Sequence, residues 1–387
     1  MEVYILDSLN RRVDVADKFE SLIWTERMAA FGDFKFRVPS SLQNRTRFIP
    51  GVRLAINGSY RLMTIETVED VTDDQDRRLL EISGYSLEKI LDERLAAPEL
   101  GAIAKWSITD FPADIARYLF NYICVLGTLD PGDIIAGVVE GNVLFPPDTI
   151  PEPDTAIEYI IDPMSLYQAI KNLCDAYGMG FRLVKDPLTS TLYFDVYMGA
   201  DRTTAQVDLP AVVFSPDMDN LSSTKQLTTT ALYRNAAYVL SAVGSEIVYP
   251  DDVDPDVEGF ERRVLWVVAS DIDDPDGPTA SAQMIQRGKQ ALAQARKYMG
   301  LDGELTSTSQ YVYGTHYNLG DLVEIRNSDG LGTYVQVTEQ IFTKDAEGER
   351  SFPTLSVNEL VYPGSWSSIS PAIVWDDYTT EEWDDLP

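Results

Sequence analysis

Residues 333–353 read TYVQVTEQIFTKDAEGERSFP, and the chain enters them through residues 317–325, YNLGDLVEI. Val335 and Val337 alternate with Gln336 and Thr338, and Ile341 and Phe342 extend the apolar set. Period-two patterning of this kind predicts an antiparallel sheet with one buried face. Asp345-Ala346-Glu347-Gly348 supplies a hairpin turn in which Gly348 is free to adopt positive φ. No residue in this stretch has the character of a reaction centre. The pattern predicts one wall of a β-barrel, a part whose product is a shape.

The bulk properties agree. A chain of 387 residues is too long for a single core, and two to four domains are expected. Its 44% hydrophobic content is that of a globular protein. No apolar run approaches the roughly 20 residues that cross a bilayer. The opening MEVYILDSLNRRVDV lacks the basic and apolar regions of a signal peptide, so synthesis in a cytoplasm and a soluble product are expected. The formal charge of −31 argues against a groove that neutralises phosphates. Two readings of that charge stand side by side: general solubility, or a wall past which nucleic acid slides because like charges repel.

Residues 1–97 are rich in strand signals. Val3–Leu6 and Leu22–Trp24 are apolar runs, and in Asp33–Pro39 the residues Phe34, Phe36 and Val38 face inward while Lys35 and Arg37 face out. Asn57-Gly58 predicts a type I′ hairpin between 52–56 and 60–68. A short helix over 86–94, capped by Ser86, closes the segment. Residues 98–210 switch to helical spacing at 108–126, with Thr109 or Asp110 as cap, and at 165–177, capped by Ser165 and stopped by Gly178. The strands 180–185 and 191–198 then pair about Asp186-Pro187, giving an α/β insert. Residues 211–362 return to strands, with a helix over 279–299 ended at Gly300–Gly303. The overall expectation is a mainly β (α+β) protein with strand-rich units at 1–97 and 211–362 flanking an insert at 98–210, and an acidic tail at 363–387. The tail carries Trp375-Asp376-Asp377 and Trp383-Asp384-Asp385. Free acidic segments solvate, but aromatic residues anchor interfaces, so these six positions are the candidate partner-binding residues.

Searching for chemistry returns little. His316 is the only histidine, so one chain cannot build a histidine metal cage or relay, and its setting in YVYGTHYNLG is that of a turn. There is no H-E-x-x-H, no G-x-S-x-G and no phosphate-binding loop. Cys124 and Cys174 fall in apolar helical patterns and read as buried thiols. Trp24, Trp106 and Trp266 lie in patterned elements and read as core. The stretch from Asp252 to Gly259 resembles the first half of a calcium loop, but the twelfth position counted from Asp254 is Leu265 rather than a bidentate Glu. A solvated acidic loop there, and in 271–276, is the alternative. No catalytic, cofactor-binding or metal-ligating residue is assigned, and no cofactor is expected. The rival readings are a glycan hydrolase built on two of the 62 acidic residues, and a receptor- or sugar-binding tip module using the tail.

Four stretches together resemble one family. Trp24-Thr25-Glu26-Arg27 followed by Gly32-Asp33-Phe34-Lys35-Phe36-Arg37-Val38-Pro39 is similar to the opening of siphophage tail-hub proteins, the Gp37-like minor tail proteins. Ile82-Ser83-Gly84-Tyr85-Ser86-Leu87, running on to Arg94, resembles their strand into Gly-x-Ser-Leu and a short helix. Residues 163–181 resemble their helix followed by Gly-x-Gly-Phe, and residues 235–239, 317–325 and 341–353 resemble their last barrel. The order of these pieces spans residues 1–360, and the tail from 363 lies outside it.

The resemblance implies a baseplate or distal tail-tip hub with two tail-tube-like β-barrel domains per chain, α/β inserts, and a fold similar to the hub of contractile tails. It implies a homotrimer whose barrels match a six-fold tail ring. The implied partners are copies of the chain itself, the distal tail ring protein, and a central fibre, spike or tape-measure protein. DNA would pass through the channel without specific binding. The implied location is the virion tail tip, after assembly in the host cytoplasm.

Overall fold

In the computed structural model the strand of the opening stretch runs over Gly332–Asp345 and returns over Gly348–Glu359. Gly348 takes φ +127 in the turn. Val335, Val337 and Phe342 are buried as their alternation predicts, but Ile341 is only partly covered and Gln340 is fully buried in its place. The buried parity shifts between Val337 and Gln340. The buried amide is satisfied, because the Tyr317 hydroxyl donates to its Oε1 at 3.0 Å and its Nε2 donates to Ser351 Oγ at 2.8 Å. The structure describes residues 1–101, 105–140, 156–186, 189, 191–231, 233–250, 255, 257–270, 272, 279–295, 298–305, 311–327 and 332–359.

The protein is mainly β, with several sheets and two compact units. The first unit comprises Met1–Val212, Leu305–Val323 and Gln336–Thr354. Its main sheet runs, neighbour by neighbour, through Gly332–Asp345, Ser21–Arg27, Asp33–Pro39, Arg78–Ser86, Met63–Thr72, Arg53–Ile56, Val3–Leu6 and Arg12–Ala16, all antiparallel. Among the described residues this order is open, and no barrel closure is present. Glu339–Lys344 pairs with Leu22–Arg27, more than 300 positions earlier in the chain. Phe34, Phe36 and Val38 point into the core with Val3, Ile5, Trp24, Leu54, Ile65 and Ile82, as the alternation predicts.

Gly84 shows why the pairing needs glycine. A Cβ there would stand 1.9 Å from the Thr64 carbonyl oxygen, beside a register shift between Ile65 and Thr67.

Several boundaries differ from expectation for local reasons. The predicted tight hairpin at Asn57-Gly58 is opened out: Leu54 pairs with Met63, and Tyr60 and Arg61 leave the hairpin to meet the strand Gly180–Lys185. Residues 108–110 are strand rather than helix, because Trp106–Asp110 pairs with Ile157–Ile161. The helix begins at Pro112, and Asp110 caps nothing beyond the Phe111 N–H. Ser86 precedes a 3-10 turn, Leu87–Glu93, but makes no side-chain cap. By contrast Ser165 accepts the Gln168 N–H at 3.2 Å, and Gly178 ends Leu166–Tyr177 at φ +65. That helix and Pro112–Phe120 pack on the strands Gly180–Lys185 and Leu192–Tyr197 around a second core, with Phe120 stacked on Phe194.

The second unit comprises Val213–Glu304, Glu324–Val335 and Leu355–Pro387. Its three-stranded sheet has Ala236–Ser241 in the centre, antiparallel to Ser245–Val248 and parallel to Val264–Ala269. The helix Thr279–Gln294 covers one face, where Ala237, Val239, Val248, Met284 and Leu292 form a small core. Gly288 lets it approach, since a Cβ there would lie 2.6 Å from Val248. This helix stops at Gln294, short of the predicted 299, because Tyr298–Leu305 is a strand paired with Leu221–Thr229; the predicted glycine stop at 300–303 falls inside that strand. Among the described residues no helix is long and apolar enough to cross a membrane.

Candidate functional site

Among the described residues, a buried polar cluster and an exposed apolar face depart most from the usual sorting of polar and apolar groups. The first is a buried polar cluster in the first unit. Glu26 stands at the end of the strand that begins the Trp-Thr-Glu-Arg motif, Arg61 in the opened hairpin, and Glu88 in the 3-10 turn; their exposures are 2%, 2% and 0%. Burying three charged side chains is costly unless they pair. Arg61 Nη1 lies 3.4 Å from Glu88 Oε1, and the same oxygen accepts the Leu183 N–H at 2.8 Å. Glu26 Oε1 accepts the Trp24 indole N–H at 3.4 Å and a short bond from the Ser59 hydroxyl, while its Oε2 accepts the Tyr313 hydroxyl at 3.1 Å. Both Arg61 Nη atoms, Glu88 Oε2 and the Tyr197 hydroxyl have no hydrogen-bond partner among the described residues.

One cation thus faces two carboxylates away from water. Burial pushes the Glu26 carboxyl above its usual range, against the opposing pull of Arg61 and the Ser59 and Tyr313 hydroxyls. Burial works most strongly against the charge on Arg61, but Glu88, Tyr197, Glu26 and Tyr313 together outweigh it and the guanidinium is held charged. The Tyr313 and Tyr197 hydroxyls are raised by burial. Because Glu26 and Glu88 lie beneath the surface, no substrate in solution meets them in this arrangement. The cluster ties residues 24, 26, 59, 61, 88, 183 and 313 together, which is the work of a joint.

The second place is a surface. Trp266, expected in the core, is 73% exposed, and its strand neighbours show why. Trp266 pairs with Tyr238, which pairs on its other side with Ile247, so the three side chains form a row on the face away from the helix. Leu240 and Val268 form the next row, and all five are exposed. The run Val264–Ala269 is apolar on both faces, so its period alone could not tell which face the helix covers. Arg262 borders the row, its guanidinium 5.9 Å from the Tyr238 ring centre and 5.6 Å from that of Tyr249, with Nη2 donating to the Tyr249 hydroxyl at 3.0 Å. Trp24 and Trp106 are buried as expected, at 0% and 8% exposure.

The remaining sequence candidates resolve simply. His316 sits in a turn, where its Nδ1 accepts the Val312 N–H at 2.8 Å. Cys124 and Cys174 are free and buried, and burial pushes both thiols up, that of Cys124 to about 12, so neither is a ready nucleophile. Among the described residues no three His, Cys, Asp or Glu side chains are gathered to share a metal ion. The candidate partner-binding residues Trp375, Asp376, Asp377, Trp383, Asp384 and Asp385 lie outside the described residues, as do Asp251–Asp254, Asp256, Asp271 and residues 273–276 of the acidic loops.

A sequence profile of the Siphovirus ReqiPepy6 Gp37-like protein family matches residues 2–354. No curated protein matches the chain. Among solved structures, the tail protein from Neisseria meningitidis MC58 is similar with a TM-score of 0.56 at 14% identity, covering 92% of this chain and 97% of that one. The prophage MuSo2 43 kDa tail protein from Shewanella oneidensis gives 0.55 at 14% identity, covering 92% and 99%. Prophage tail protein gp18 from Listeria monocytogenes EGD-e gives 0.50 at 12% identity, covering 92% and 94%. The fold is that of phage tail proteins.

Proposed function

The chain belongs to the family of Siphovirus ReqiPepy6 Gp37-like proteins, and from that premise we propose that it is the structural hub of a phage tail tip or baseplate. The observation that carries this is the coincidence of two matches. The family profile spans residues 2–354, and the fold of prophage tail proteins covers 92% of the chain. As a tail protein it is a component of the virion.

In the finer reading, three copies form a ring that joins the six-fold distal tail to a central fibre or spike. Each copy supplies two strand-rich domains, from residues 1–97 and 211–362, with the α/β insert of 98–210 between them. The neighbours along the axis are the distal tail ring protein on one side and a fibre, spike or tape-measure protein on the other. The net charge of −31 suits a passage through which DNA leaves without adhering. Such a ring needs large permanent interfaces, of the order of 2,000 Å² or more.

The test is the copy number and symmetry of the chain in its particle, by imaging of the assembled tail and mass measurement of the purified protein. Three copies about one axis with an open centre are expected. A monomer absent from particles rejects the reading. Lysis of cell walls by the purified protein would favour the glycan hydrolase instead.

A further inference from the structure

We propose that the outer face of the three-stranded sheet in the second unit, centred on Trp266, is the docking surface for the acidic, tryptophan-bearing segment 363–387 of the same chain. The face is apolar in register. Ile247, Tyr238 and Trp266 lie side by side across three strands, Leu240 and Val268 continue the patch, and Phe260 stands fully exposed in the 3-10 turn before the strand of Trp266. An ordered row of this kind, built from rigid aromatic and branched side chains, is the composition of an interface centre rather than of a water-facing surface.

The choice of occupant follows from charge and composition. Arg262 sets a positive charge on the margin of the patch, held in place by the Tyr238 and Tyr249 rings. On a protein of net charge −31, an apolar patch edged by an arginine is a place where an acidic segment escapes the general repulsion. Segment 363–387 carries six carboxylates, Asp376, Asp377, Glu381, Glu382, Asp384 and Asp385, and no Lys or Arg. It twice sets a tryptophan directly before two aspartates, at Trp375 and Trp383, so an aromatic anchor arrives with a charge for the margin. The length suffices: Trp375 lies 16 positions beyond Glu359, where the described chain ends. An extended chain of that length spans about 50 Å, against about 30 Å for the diameter of a small domain.

The experiment is hydroxyl-radical footprinting of the full chain, wild type against the double variant Trp375→Ser/Trp383→Ser, at two protein concentrations. Trp266 and Ile247 should be modified several-fold more in the variant, while buried Trp24 stays protected in both and reports an intact fold. Arg262→Gln should raise Trp266 modification in the same direction, most at low salt. Protection of wild type that is independent of concentration is expected; protection that grows with concentration and still needs the tail tryptophans would put a neighbouring copy's segment on the face and overturn docking within the chain. Equal modification of Trp266 in wild type and variant overturns the proposal. So does protection that survives the tail substitutions and is lost on dilution, because then another surface of a second copy covers the face.

Discussion

Gly32 and Ser86 exchange two hydrogen bonds across 54 positions of sequence: the Ser86 N–H donates to the Gly32 carbonyl at 2.9 Å, and the Gly32 N–H donates to Ser86 Oγ at 2.8 Å. Two of the stretches that resemble the Gp37-like family, 32–39 and 82–94, are thereby fastened to each other. The serine that reads as a helix cap spends its hydroxyl on the partner strand.

Ser86→Ala should therefore cost more than an ordinary cap. Ser86 is 1% exposed, so the substitution leaves the Gly32 N–H without an acceptor in the interior. The expected loss is about 1–3 kcal/mol, read from urea denaturation midpoints at an unchanged m-value. A loss of only a few tenths would mean that water replaces the hydroxyl.

Gly84→Ala should be worse. The added methyl would stand 1.9 Å from the Thr64 carbonyl, and a backbone atom cannot swing aside as a side chain does. The expected destabilisation is about 3 kcal/mol or more, the upper end of overpacking costs, seen as a lowered Tm by calorimetry. An unchanged Tm would show that the register shift at Glu66 relaxes to take the methyl.

Arg61→Met should cost about 3–5 kcal/mol, because it strands buried Glu88 without its cation. The paired variant Arg61→Met/Glu88→Leu should recover part of that loss, since it removes both charges but leaves the Leu183 N–H without its acceptor and Glu26 without its cation. A double-mutant cycle on denaturant midpoints checks this. Additive losses would mean that the two side chains do not interact.

Glu26 gives stability a pH dependence of definite sign. Burial raises its carboxyl in the folded protein, so its contribution is complete below the unfolded value of about 4.3 and is lost as pH rises through the folded value. Glu26→Gln keeps the shape without the ionisation. Relative to wild type its stability should improve steadily as pH is raised above about 4.3, read as urea midpoints across a pH series. Parallel curves for the two proteins would show that Glu26 titrates at its ordinary value.

Local pattern carried much of the architecture. The strict alternation of Asp33–Pro39 put Phe34, Phe36 and Val38 inside, and the Ser165 cap and Gly178 stop bounded their helix within a residue. The family resemblance, too, is legible in short ordered motifs of the sequence. Elements whose fate depends on a distant partner were not legible. Residues 108–110 carry helical spacing but become strand because Ile157–Ile161 offers backbone partners. Nothing in the local pattern singles out Arg61 and Glu88, which meet only through the opened hairpin and the 3-10 turn.

The sequence by itself determined the strand-rich class, the turn at 345–348, the Ser165 and Gly178 helix ends and the acidic balance, because each follows from the period and charge of neighbouring residues. Only the tertiary structure decided that Glu339–Lys344 pairs with Leu22–Arg27, that Glu26 lies buried beside Tyr313, and that Trp266 faces outward while Trp24 does not. The physical reason is that an apolar run has two faces, and which of them meets water is set by what packs against it from elsewhere in the chain: here the helix Thr279–Gln294 covers one side of the sheet that holds Trp266, and Trp266 is on the other.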